Sequence, residues 1–227
     1  LGVHRQAAAR THQHRHHALG GLRRARSRGG AEPRCGIDPR GGIYTVVVLK
    51  DKAYTKWQPV FGGTNTALND SKYVYIKSEG SSRFTITRSV KLGDSLIDVA
   101  SKMRVFLQNV ILDSRYGGAE GSCMGIQAQQ DATVMLKQGA EIRNCDTGVM
   151  MDSDCLLDIS EGATVHDNWR GIKTGPGAII NLGGVVVNNR VCGVHIGESS
   201  TLVVREGSRI SGNGNHGSTG GGIYAEA

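Results

Sequence analysis

From residue 101 onward, apolar and polar positions alternate with a period of two in runs of three to five residues, each broken by Gly, Asn or Asp. This pattern predicts short β-strands joined by tight turns and argues against a helical bundle. The second half also aligns with itself in lines of 22 or 23 residues: ATVMLKQGAEIRNCDTGVMMDSD from Ala132, CLLDISEGATVHDNWRGIKTGPG from Cys155, AIINLGGVVVNNRVCGVHIGES from Ala178, and a longer line from Ser200. One glycine recurs at Gly139, Gly162, Gly184 and Gly207, each followed three positions later by Ile142, Val165, Val187 or Ile210. A second recurs at Gly125, Gly148, Gly171, Gly193 and Gly222, with the insert NGNHGSTGG stretching only the last interval. A solenoid tolerates insertion at one fixed point, because a loop bulges outward without disturbing the stack.

After the second glycine, the pairs Ile126 and Ala128, Val149 and Met151, Ile172 and Thr174, Val194 and Ile196, and Ile223 and Ala225 are expected to point inward. Their neighbours Gln127, Met150, Lys173, His195 and Tyr224 are expected to point out, and they share no chemical type. Three strands in about 22 residues leave no room for a helical crossover, so successive lines must coil and stack with equivalent strands paired about 4.8 Å apart. The expected fold class is therefore all-β, a parallel β-helix with three short strands per coil. A leucine-rich repeat has a comparable period, but its LxxLxL pattern is missing. Asn144, Asn168, Asn189 and Asn213 fall near one turn and are read as a structural ladder, asparagine bonding to asparagine on the next coil.

Three segments follow from this reading. Residues 101–227 form the regular coils, with MRVFLQNVILD from Met103 fitting one more of them. Residues 41–100 hold less regular alternating runs such as KYVYIKS and RFTITRS, expected to be an N-terminal cap and first coils. Residues 1–40 are expected to be a disordered Arg- and His-rich tail. GGGIYAEA stops within a coil, so the helix is expected to be truncated at its C-terminus.

Charge changes the picture only at the tail. Nine arginines against Glu32 and Asp38 place the whole net charge of +7 in the first forty residues, while residues 41–227 balance 18 basic against 18 acidic side chains. A neutral body carrying one basic tail argues against a folded nucleic-acid surface, which needs cations arrayed along a groove. No apolar stretch is long enough for a secretory signal in the tail or for a membrane span anywhere. The five cysteines, Cys35, Cys123, Cys145, Cys155 and Cys192, show no CxxC spacing and are read chiefly as small buried hydrophobes, with Cys145 and Cys155 as one pairing left open. No cofactor or metal is expected.

The succession YTVVVLKD, FTITRS, SLIDVAS, VFLQNVILD, and SRISGN before GGGIY resembles the right-handed β-helix repeat proteins of bacterial surfaces, within the pectin-lyase-like superfamily, some of which carry polymorphic-outer-membrane-protein-type repeats. The resemblance covers about residues 43–227. It implies a right-handed helix, secretion or surface attachment, and contact with polysaccharide or with a host or cell-surface protein. The expected function is a non-enzymatic β-helix module, adhesin-like or structural. The alternative is a carbohydrate-active enzyme, a polysaccharide lyase or glycoside hydrolase, acting on an acidic polysaccharide. RGIKTG and GVHIGE are similar to polygalacturonase elements, but they occur in the reverse order and without the paired aspartates upstream. A lyase would need carboxylates holding calcium beside a cation, for which Asp152, Asp154 and Lys173, with Asp158, are the catalytic candidates. Trp169, His195 and Tyr224 are the binding candidates, through ring stacking and hydrogen bonding to sugars.

Overall fold

The computed structural model describes residues 15–18, 42–48, 51–54, 60–61, 72–88, 95–120, 122–216 and 221–226. Among these residues the regular elements are all strands, arranged in one eight-stranded and two seven-stranded sheets. Every pairing is parallel and joins each strand to its equivalent one coil away. The chain is a right-handed parallel β-helix.

The coil from Thr133 shows the plan. Thr133–Leu136 lies in the first sheet, Glu141–Arg143 in the second and Thr147–Met151 in the third. Gly42–Val48 and Lys72–Ser78 continue the first sheet toward the N-terminus, so the described strands of the less regular part of the sequence stack on the same helix. Of the expected tail only Arg15–Ala18 is described, as a strand parallel to Gly42–Val48; the remainder, including the other tail histidines and Cys35, lies outside the described residues.

The interior is filled by aliphatic columns. Val105, Val134, Leu157 and Ile180 form one in the first sheet, and Ile126, Val149, Ile172 and Val194 another in the third; all are fully buried. Burying each such side chain contributes roughly 1.5–3 kcal/mol, and β-branched residues suit the pleat that presents them. Cys123, Cys145, Cys155 and Cys192 are buried and free, so the Cys145–Cys155 pairing is not made. Burial pushes the Cys145 thiol up and the Cys155 thiol up to about 11, so both behave as hydrophobes.

Two sequence alignments are corrected by the register. Val185 pairs with Thr164, which makes Val186, not Val187, the equivalent of Ile142, Val165 and Ile210. Gly184 therefore stands beside Ala163 instead of Gly162, and it lacks the left-handed backbone that Gly139, Gly162 and Gly207 share. That coil has a two-residue first turn where its neighbours have four, and its next turn is one residue longer. The asparagine ladder likewise comprises Asn168, Asn189 and Asn213 only. Each accepts a hydrogen bond at Oδ1 from the backbone N–H one coil below: Cys145 at 3.0 Å, Asn168 at 3.1 Å and Asn189 at 2.9 Å. Asn144 sits one position earlier, with positive φ like Asp167 and Asn188, and its side chain donates to Asp113 Oδ1 at 3.0 Å.

Candidate functional site

Most of the sequence candidates lie on or beside the third sheet, where Lys173, His195 and Tyr224 are successive neighbours in register, but the carboxylate candidates do not converge on Lys173. Lys173 points outward between Met150 and His195. Asp152 and Asp154 are exposed in the turn leading to the first sheet, and among the described residues no ion pair joins either to Lys173. Asp154 has φ 59°, in line with Asp131 at 62° and Gly177 at 70° on adjacent coils, and its Oδ1 lies where a side chain on Gly177 would be. That placement gives Asp154 a turn-forming role, since aspartate tolerates left-handed backbone. Asp158 is on the first sheet and pairs with Arg205 at 3.1 Å. Among the described residues no group of three His, Cys, Asp or Glu side chains could hold a metal ion.

Of the binding candidates, His195 and Tyr224 are neighbours in register, their rings edge-on at 4.8 Å, and His195 Nε2 lies 2.7 Å from Glu226 Oε1. Trp169 occupies the tight turn between the second and third sheets, 4.9 Å from the His216 ring, and its buried Nε1 has no hydrogen-bond partner among the described residues. The two Gly-rich inserts emerge at this same corner. Gly118 of one packs directly on the backbone of Asp167 and Asn168, and His216 of the other donates its backbone N–H to Arg190.

A charged cluster that the sequence reading did not single out occupies the outer face of the second sheet. The coil repeat stacks Asp113, Arg143 and His166 in one row, with Glu141 two residues along. Arg143 binds Asp113 at 2.9 Å and Glu141 at 2.7 Å; Arg83 reaches Glu141 at 2.5 Å, and His166 spans Glu141 at 3.2 Å and Asp167 at 2.6 Å. Asp113 Oδ1 additionally accepts from Asn144 and the backbone of Arg115. The hydrogen bond from His166, with Arg83 and Arg143 nearby, holds the Glu141 carboxyl below its ordinary value against the opposing effect of burial. The same bond to Glu141 raises His166, opposed by desolvation and aided by Asp167. With both carboxylates saturated by donors, this cluster suits locking coils together better than proton transfer.

The first sheet carries the contrasting arrangement. Period-two alternation in KYVYIKS and RVFLQ turns Tyr73, Tyr75, Arg104 and Phe106 outward. The register sets Tyr75 over Phe106, where the rings stack at 4.3 Å and 14°. Arg104 lies 5.2 Å over the Tyr73 ring and donates to its hydroxyl at 2.5 Å. Beside the stack runs an open groove of about 540 Å³ lined by Tyr75, Phe106, Lys77, Gln108, Lys137 and Glu161, among others. Lys137 donates to Ser160 at 3.3 Å, and among the described residues Lys77 has no ion pair. An exposed aromatic face bordered by cations, amides and a carboxylate can stack on a sugar ring while hydrogen-bonding its hydroxyl and carboxylate groups. The signal for this groove was present in the alternation of the two runs, but they lie some thirty residues apart and outside the clean repeat.

Against known proteins, no family model matches the chain, and neither a curated protein nor a solved structure matches it.

Proposed function

We propose that this β-helix is a non-enzymatic module of a secreted or cell-surface protein, and that it contacts glycans through the aromatic groove of the first sheet. The observation that carries the reading is the Tyr75–Phe106 stack, with Tyr75 36% exposed beside Lys77, Gln108 and Lys137. A stacked aromatic pair with one exposed and one half-buried ring lies outside the core, so its natural use is contact with a partner that has flat apolar faces and polar edges. The saturated state of the Asp113 and Glu141 carboxylates supports a binding role over hydrolysis. The sequence resemblance to pectin-lyase-like β-helix proteins of bacterial surfaces supports the setting.

The test is a titration of the chain with acidic and neutral oligosaccharides, with and without calcium, followed by product analysis. Binding without cleavage, weakened by Tyr75→Ala, is the expected result. Cleavage abolished by Asp152→Ala or Lys173→Ala would replace the module reading with the enzyme alternative.

A further inference from the structure

One row of outward positions on the first sheet runs along the edge of the aromatic groove. Lys77 pairs in register with Gln108. The same backbone step then repeats from coil to coil: the N–H of Lys137 donates to Leu107 O, that of Ser160 to Leu136 O, that of Gly183 to Ile159 O and that of Arg205 to Leu182 O. The row therefore reads Lys77, Gln108, Lys137, Ser160, Gly183 and Arg205.

A chain of hydrogen bonds ties the far end of this row to the groove. Arg205 Nη2 donates to Asp158 Oδ2 at 3.1 Å, Ser160 Oγ donates to Asp158 Oδ1 at 3.2 Å, and Lys137 Nζ donates to Ser160 Oγ at 3.3 Å. A carboxylate only accepts and an ammonium only donates, so the hydroxyl between them has a single consistent orientation. Gly183 opens the way for Arg205, which passes two coils down to Asp158; a Cβ on Gly183 would lie 3.7 Å from Arg205 Cδ, and any longer side chain would stand in its path. Lys137 commits one of three N–H donors to Ser160 and keeps the others for the groove. Lys77 and Glu161, which also line the groove, are exposed and make no ion pair among the described residues.

Along the groove the order is cation, amide, cation, then a hydroxyl with the Glu161 carboxylate beside it. Coils rise by about 4.8 Å, which puts the Lys77 and Lys137 backbones roughly 10 Å apart. An extended pyranose chain lying along the helix axis advances by about one sugar per coil. The two ammonium groups then meet every second sugar, the Gln108 amide meets the one between them, and Glu161 repels an anion on the sugar that follows. Attraction at two steps with repulsion at another discriminates between charge patterns even where each exposed contact is weak. Resting on the reading of this groove as a glycan contact, we infer that its ligand is a polysaccharide with an acidic group on alternate sugars, and that Arg205 and Asp158 are positioning residues that act on it through Lys137.

The test is calorimetric titration of the 227-residue chain with three oligosaccharides of equal length: hyaluronan, with a carboxylate on every second sugar; oligogalacturonate, with one on every sugar; and chitooligosaccharide, with none. Hyaluronan is expected to bind at least about fivefold tighter than either of the others. Arg205→Gln and Asp158→Asn should each weaken hyaluronan roughly threefold, without adding when combined, and leave chitooligosaccharide unchanged. Glu161→Gln, at an exposed position, should strengthen oligogalacturonate about two- to threefold and leave hyaluronan unchanged. The inference is overturned if oligogalacturonate or chitooligosaccharide binds as tightly as hyaluronan, or if the Arg205 and Asp158 variants, folded by their melting curves, bind all three like the parent chain. In both cases the groove reading survives as long as Tyr75→Ala still weakens binding. Absence of binding to all three would overturn that reading and this inference with it.

Discussion

The outer faces of the first and second sheets are built from the same coils and treat polar groups in opposite ways. On the second sheet, Glu141 is buried to 7% exposure and receives Arg83, Arg143 and His166, so its hydrogen-bonding capacity is spent inside the molecule. On the first, Tyr75 and Lys77 stand exposed beside an open groove. Burial with full pairing makes the first kind of face costly to alter and chemically inert; exposure makes the second cheap to alter and available to a partner. Position on the solenoid does not decide the matter, since both faces draw on neighbouring coils.

The widest separation is expected in stability. Glu141→Ala strips the partner from Arg83, Arg143 and His166 at once and should destabilise the chain by about 3 kcal/mol or more in denaturant unfolding, with glycan affinity unchanged wherever the variant is folded. Tyr75→Ala should change stability by less than about 1 kcal/mol. A large loss for Tyr75 with none for Glu141 would reverse the contrast. In binding the order inverts: Tyr75→Ala should weaken affinity roughly tenfold in a calorimetric titration, the equivalent of about 1.4 kcal/mol of lost stacking.

How far these faces could be read from sequence differs for a physical reason. The fold was legible because the coil period, the glycine column at Gly125, Gly148, Gly171 and Gly193, and the inward pairs such as Val149 and Met151 are steric requirements repeated in every coil. The displacement at Gly184 and Val187 was not, because a turn shortened by two residues and a later one lengthened by one change the overall spacing by only one residue. Asn144 was drawn into the ladder by spacing alone, although its left-handed backbone turns its side chain toward Asp113. Neither the charged cluster nor the aromatic groove repeats from coil to coil. Each joins residues whose contact depends on register, such as Arg83 with Glu141 and Tyr75 with Phe106, so no periodic signal announced them.

Smaller effects sharpen the comparison further. Because the folded-state pKa of His166 is raised above its ordinary 6.5, its contribution is fully present below about pH 6.5 and is lost as pH rises through the raised value. Glu141, lowered from 4.5, contributes above about pH 4.5 and loses that as pH falls through its depressed value. Stability supplied by this pair should therefore be greatest between about pH 4.5 and 6.5, and His166→Asn should flatten the alkaline decline by on the order of 1 kcal/mol in pH-dependent melts. The smallest effect is expected from Lys77→Gln, a two- to threefold loss of affinity for an acidic oligosaccharide that disappears at high salt and leaves neutral glycans unaffected, roughly as an exposed charge should behave.

Hydrogen–deuterium exchange across a titration with oligosaccharides tests the division of labour between the faces most directly. Slowed exchange confined to residues 73–77, 104–108 and 135–138 of the first sheet, with residues 111–113, 141–143 and 164–167 of the second unchanged, is the predicted result. Protection centred on the second sheet, or on the third around Lys173 and His195 with the groove silent, would contradict it.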